Sequence, residues 1–257
     1  MIGFARFNNV EITSIVGVEI LRTNAFLPAK RKLTIDAIAR SDKSKVSSAF
    51  YNGRSIIIGV SITRNTRDLA EQSLDALLAI LQATEKDLVL SQSGLVRRYT
   101  ATYSDYNEVR SGGSYIELDL IFVCSDRFGY ETNYTTILNA NGRTLATYSD
   151  AFTFAGSAPW QQPYVMIFFT AVTGGTAATV RVGNNTNGQQ VQITRTWLAG
   201  DRLEIDSFTK IVTVNGALVA YTGAIPEFAP RAGTLTYSDT LSTRTFNLTS
   251  YYYKRYV

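Results

Sequence analysis

Histidine is missing from this chain, and cysteine nearly so. With His at 0, serine–histidine and cysteine–histidine nucleophiles, histidine metal sites and imidazole acid–base work are excluded together. The one cysteine, Cys124, rules out an internal disulfide and a thiolate metal cluster. It closes the run Leu120-Ile121-Phe122-Val123-Cys124, the setting of a buried apolar thiol rather than a nucleophile. No apolar stretch is long enough to cross a membrane. The longest, YVMIFFTAV at 164–172, is under half a span and reads as a buried strand. The start, MIGFARFNNVEI, is interrupted by Arg6, Asn8, Asn9 and Glu11, so it lacks the apolar centre of an export signal. Maturation without export is expected, and the sequons at Asn133, Asn184 and Asn247 then carry no meaning. Phosphate-loop, dinucleotide, nucleophile-elbow and CxxC motifs are lacking too. The reading is no enzyme, no cofactor, no metal and no catalytic residue.

What remains is a foldable, β-prone chain. Its 257 residues, 45% hydrophobic and 18% charged, suffice for one large or two ordinary cores. Tyr at 15 and Phe at 13 against 2 Trp suit sheet surfaces and interfaces. The net charge of +4 is concentrated in 28–67, where Lys30, Arg31, Lys32, Arg40, Lys43, Lys45, Arg54, Arg64 and Arg67 face only Asp36 and Asp42. A solvated hairpin with edge-guarding lysines explains this. Contact with an acidic partner or nucleic acid is the sharper alternative.

One ordered programme stands out between Asn52 and Gly129. Asn52-Gly53 signals a turn, and Ile56-Ile57-Ile58-Gly59-Val60 is a strand buried on both faces. A helix is expected over about 66–83, capped at Asn65 or Thr66, with Asp68 and Glu71 near its start. Its stripe of Ala70, Leu74, Leu77, Leu78 and Leu81 should pack on a sheet. KDLVL, RRYTATY and the strand Tyr115–Cys124 follow. In that last strand Ile116, Leu118, Leu120, Phe122 and Cys124 share the core face. The opposite face begins with Glu117 and Asp119 but ends with Ile121 and Val123, as though its far end were covered by a neighbour.

After Gly129 the composition changes: all prolines but Pro28 lie there, with many Gly, Thr and Asn and no helical period. Strands are expected at 164–170, 179–183, 190–194, 202–206, 210–214, 217–221 and 245–253. Asn215-Gly216 reads as a type I′ hairpin, and Gly174-Gly175 and Asn187-Gly188 as further turns. This pattern gives a β-sandwich, and the break between domains is set at 137/138. Glu204 and Asp206 alternate with Leu203 and Ile205. A solvated sandwich face accounts for them, beside carboxylate glycoside hydrolysis or calcium binding. Trp160 and Trp197 are the candidates for a stacked sugar. In the terminal YYYKRYV, an unbroken strand would put Tyr251, Tyr253 and Arg255 on one face, a candidate subunit contact together with Ile121 and Val123.

The series NGRSIIIGVSI, RDLAEQSLDALLAIL, KDLVL, RRYTATY and FVCSDRFGY, followed by FTFAGSAPWQQPYVMIFF and AGDRLEIDSFTKIVTVNGALV, resembles the distal tail proteins of siphophages over most of the chain. The motifs are loose apolar spacings, and Arg127-Phe128 stands where the family often has a proline. The resemblance implies a mainly β fold with one helix: an N-terminal β-sandwich or barrel-like ring domain at 1–137 and a galectin-like β-sandwich at 138–257. It also implies a structural role in the virion, at the tail tip or baseplate. The subunits, made in the host cytoplasm, would form a homo-hexamer joining the tail tube protein to the hub and docking receptor-binding proteins. DNA would pass through the lumen without specific binding. A carbohydrate-binding module without catalysis is the alternative.

Overall fold

Alternation along residues 54–63 sets the first core: Ile56, Ile58, Val60 and Ile62 are all fully buried, as a period of two in a half-covered strand requires. The computed structural model describes residues 2–37, 44–51 and 53–257. The expected turn at Asn52 and the basic residues Arg40 and Lys43 lie outside the described residues. Two compact units form: Met1–Thr132 with Tyr256–Val257, and Asn133–Arg255.

The first unit contains β1 (Ile2–Phe7), β2 (Val10–Glu11), β3 (Val18–Thr23), β4 (Arg31–Ala37), β5 (Ser44–Tyr51) and β6 (Arg54–Thr63). After helix α1 (Arg67–Ile80) come β7 (Lys86–Gln92), β8 (Leu95–Gly112), β9 (Tyr115–Cys124) and β10 (Gly129–Tyr130). Seven strands order as β2-β1-β7-β8-β9-β6-β3, while among the described residues β4 and β5 pair only with each other. The sheet curls so that β1 and β3, from its two ends, come into contact, which gives the barrel-like form. Thr66 caps α1 by accepting from the Leu69 amide at 3.3 Å, and Ala70, Leu77 and Leu81 are buried against the sheet. The helix stops at Ile80, short of 83: the Leu81 amide already bonds the Leu78 carbonyl, a tight final turn.

The core face of β9 is as expected, with Ile116, Leu118, Leu120, Phe122 and Cys124 all buried. Burial pushes the Cys124 thiol pKa up to about 12, so at pH 8 only on the order of one thiol in ten thousand is ionised. Cys124 should therefore stay unmodified by a disulfide reagent in native buffer and react fully in denaturant. Complete native labelling within minutes would contradict this burial.

The second unit is a two-layer sandwich. One sheet orders β11 (Thr135–Arg143), β21 (Thr243–Tyr252), β13 (Tyr164–Thr173), β16 (Arg202–Asp206), β17 (Ile211–Val214) and β18 (Ala217–Leu218). The other orders β12 (Thr147–Phe154), β20 (Arg231–Asp239), β14 (Ala178–Asn184), β15 (Gln189–Arg195) and β19 (Thr222–Gly223). Their inner faces share one core of Val, Ile, Leu and aromatic side chains. Asn215 and Gly216 have φ of 53° and 78°, the pair of positive values that a type I′ turn demands. The expected strand 217–221 ends at Leu218, because the chain then crosses to the other sheet as β19.

The units part between Thr132 and Asn133 rather than at 137/138, since β11 pairs along β21 from Thr135 onward. The last two residues belong to the first unit. There the Tyr256 ring lies 3.5 Å from the Arg97 guanidinium carbon and its hydroxyl donates to Glu131 at 2.8 Å.

Candidate assembly surface

The outer face of β9 changes character along its length, and neighbouring strands explain how. Arg22 on β3 reaches across β6 to bond Asp119 at 2.9 Å and Glu117 at 3.0 Å. Gly59 makes the crossing: a Cβ there would sit 2.6 Å from Arg22 Cγ, closer than packing allows. This end of the face is thereby occupied by its own ion pairs. At the other end the cross-strand pairs are Ile57 with Ile121 and Ser55 with Val123. Val123 is 50% exposed and flanked by Ser55 and Thr102, and among the described residues no ion pair spans this end of β9.

A hollow of about 360 Å³ adjoins this strip, lined among others by Asn24, Leu27, Pro28, Arg54, Ser55 and Ile57. Asn24 closes the edge of β6 by accepting from the Ile57 amide at 2.8 Å and donating to the Ser55 carbonyl at 3.4 Å. Leu27 stands exposed at the rim. The strip and the hollow together make an apolar surface with a cationic border at Lys30.

A further feature escaped the sequence reading. Strand β8 pairs with β7 only as far as Ala101, while its pairing with β9 runs on to Gly112. Among the described residues no strand bonds the other edge of 102–112. The free stretch carries exposed Tyr106 and Val109 beside Asp105, Glu108 and Arg110. Its register with β9 shifts at 103/105 and at 108/110. Charges and bulges of this kind protect an edge from indiscriminate pairing. The polar sequence SDYNEVRSG hid the strand.

The second unit places the remaining candidates apart. Tyr251 stacks on Tyr164 at 4.9 Å, and Tyr134 packs on Tyr251 at 4.9 Å and on Tyr253 at 6.5 Å. Tyr251 and Tyr253 are half-buried. Arg255 is not on their face. The strand breaks after Tyr252, and Arg255 turns inward to 7% exposure, donating to the Trp160 carbonyl at 3.1 Å. Trp197 is corrected likewise: at 1% exposure, with its indole N–H on the Ala178 carbonyl, it is core and cannot stack on a sugar in this conformation. Trp160 is 44% exposed.

Glu204 and Asp206 are already engaged. Glu204 accepts from the Tyr164 hydroxyl, Arg202 and the Thr213 hydroxyl. The Tyr164 bond, the largest influence, holds its carboxyl below the usual range; burial opposes it, and Arg202 and Thr213 add to the lowering. A glycosidase acid requires the reverse. Asp206 caps the next turn by accepting from the Phe208 and Thr209 amides. The two carboxylates thus hold a hairpin together.

Residues 161–256 match the family model described as "Siphovirus-type tail component, C-terminal domain". The sequence matches no curated protein. Among solved structures, the Dit protein of phage SPP1, described as a hub adsorption apparatus of phages infecting Gram-positive hosts, aligns with a TM-score of 0.77. The identity is 11%, over 99% of both chains. A chain of the phage P2 baseplate aligns with a TM-score of 0.51 at 10% identity, over 99% of this chain and 98% of that one. At these identities the likeness is one of fold. It spans both units.

Proposed function

We propose that the chain is a distal tail protein and builds a homo-hexameric ring at the tail tip through its first unit, a reading supported by the match of residues 161–256 to a siphovirus-type tail component domain and by the fold likeness of the whole chain to the SPP1 Dit protein. The ring joins the tail tube protein above to the hub protein below and lets DNA through its lumen. The second unit presents docking faces for receptor-binding or other baseplate proteins, with Tyr134, Tyr251 and Tyr253 as the aromatic candidate. Subunits made in the host cytoplasm assemble there into the virion.

The observation that carries the ring is the open sheet. Among the described residues no strand bonds the β8 edge over 102–112, and β3 at the far end of the strand order pairs with β6 alone. Two different open edges on one protomer favour a head-to-tail contact, which closes into a ring when the rotation permits. The bulges and charges on β8 restrict it to a partner in register, and the Ile121–Val123 strip lies beside the joint. Native mass spectrometry and negative-stain imaging of the purified protein should show six-fold rings. A strictly monomeric species at high concentration would overturn this reading.

A further inference from the structure

The two open edges of the first sheet carry matching patterns of charge. Strand pairing sets residues of β3, β6, β9 and β8 in rows across the outer face. Glu19, Ser61, Glu117 and Arg110 make one row, and Arg22, Gly59, Asp119 and Asn107 the next. Ile57, Ile121 and Asp105 make a third, which Asn24 ends by accepting from the Ile57 amide. The register shift at 108/110 is essential to this arrangement. Without it Arg110 would fall on the opposite face from Asp105.

Arg22, Glu117 and Asp119 spend their charges within the protomer. Glu19, Lys30, Asp105 and Arg110 do not. All four are exposed, and among the described residues none of them forms an ion pair. Glu19 stands near the start of β3, and Lys30 lines the hollow with Asn24 past its end. Asp105 and Arg110 hold the corresponding places along the free stretch of β8. Each edge therefore reads negative first and positive last in chain order. Set antiparallel, the two edges pair unlike charges; set parallel, they oppose like ones.

We propose that β8 of one protomer adds to β3 of the next as an antiparallel strand, its register fixed by ion pairs of Arg110 with Glu19 and of Asp105 with Lys30. A second copy of the chain is thus the occupant of both edges. The inference rests on the ring reading and specifies its joint. Three antiparallel pairings separate β3 from β8 in the sheet, so the two strands run in opposite directions. A rotation about an axis near the strand direction preserves those directions, and the next protomer's β3 then meets β8 antiparallel.

With the rows continued across the joint, Arg110 faces Glu19, Asn107 faces Arg22, and Asp105 faces Asn24 beside the hollow. On the other face Tyr106 comes opposite Thr23, an aromatic and β-branched pair, and Glu108 opposite Ile20. Unlike charges directly opposite stabilise a strand pair, and like charges destabilise it. Sliding the strand by two residues one way sets Arg110 against Arg22. Sliding it the other way sets Asp105 against Arg22, which already holds two carboxylates, and parts Arg110 from Glu19.

The test is charge reversal in the full-length protein, read by analytical ultracentrifugation. Glu19→Arg and Arg110→Glu should each weaken assembly roughly tenfold or more, with unchanged circular dichroism. The two together should restore it to within roughly threefold of the parent. Independently, Glu19→Cys combined with Arg110→Cys should give, on mild oxidation, a ladder of disulfide-linked chains. Within one protomer these positions lie three strand spacings apart, about 14 Å, too far for a disulfide, and Cys124 is buried. Glu19→Cys with Asp105→Cys should give no ladder. If the parent forms rings but the double reversal stays as weak as the single ones, or the 19/105 pair links instead, this joint is overturned and the ring stands. A parent that stays monomeric at high concentration removes the ring and the joint together.

Discussion

Val123→Asp is expected to leave the protomer folded and dissolve the assembly. The side chain projects from the outer face of β9 at 50% exposure, so a carboxylate there is solvated in the isolated chain. In the proposed ring it would lie on the outer face with Ile121 and Ile57. Arg22 on that face is already committed to Asp119 and Glu117, and Lys30 stands across the hollow rather than on the strand. Burying an unpaired charge costs several kcal/mol. A loss of about 3 kcal/mol per contact weakens association roughly a hundredfold, and a ring loses it at every joint. Analytical ultracentrifugation should show hexamer for the parent and monomer for the variant at micromolar concentration, with matching circular dichroism. Leu218→Asp, at a still more exposed position in the second unit, should leave the hexamer in place. Persistent hexamers of Val123→Asp would remove this strip from the interface.

The same strip shows what was legible in the sequence. Alternation in 115–124 distinguished the core face from a second face that turns apolar, and side-chain burial follows that division residue by residue. The helix was legible because its stripe and cap are local. Strand 202–206 was legible because Leu203 and Ile205 alternate with charges. Strands β11, β12 and β20 were not. In β20 the inward residues are Gly233, Leu235 and Tyr237, set among Ala, Thr and Ser. Such a strand has little hydrophobic contrast, and only pairing to β12 and β14 identifies it. Tertiary context also decided the two misplaced site residues. Trp197 sits in a loop that folds back over the core, anchored by the Gly175 carbonyl. Arg255 follows an interruption of the strand at Tyr253-Lys254 that no periodicity announces. The free edge of β8 was illegible for a related reason: an edge is defined by a strand that is not there.

The largest effect on stability is expected from Arg54, whose role no sequence pattern suggested. At the foot of the β4–β5 hairpin it is buried to 6% exposure. Its guanidinium donates to the carbonyls of Ala25 at 2.5 Å, Leu27 at 2.6 Å and Arg127 at 3.4 Å, and lies 4.9 Å from the Tyr99 ring centre. Five fixed donors on a planar group let one side chain gather two loops that share no backbone pairing. With Arg54→Ala, Ala25 keeps the Tyr99 hydroxyl, but Leu27 and Arg127 lose their charged donor. Hydrogen bonds to charged groups contribute about 1.5–3 kcal/mol each, so a loss of roughly 3 kcal/mol is expected. For a unit of this size that lowers Tm by roughly 10 °C. Arg54→Lys should recover less than half, because one ammonium cannot span the three carbonyls. Calorimetry should show unfolding moving to lower temperature, and hydrogen exchange should rise first in 24–30. A shift of the Arg54→Ala transition below about 2 °C would mean that the loops are held by Asn24 and Tyr99, with the guanidinium only filling space.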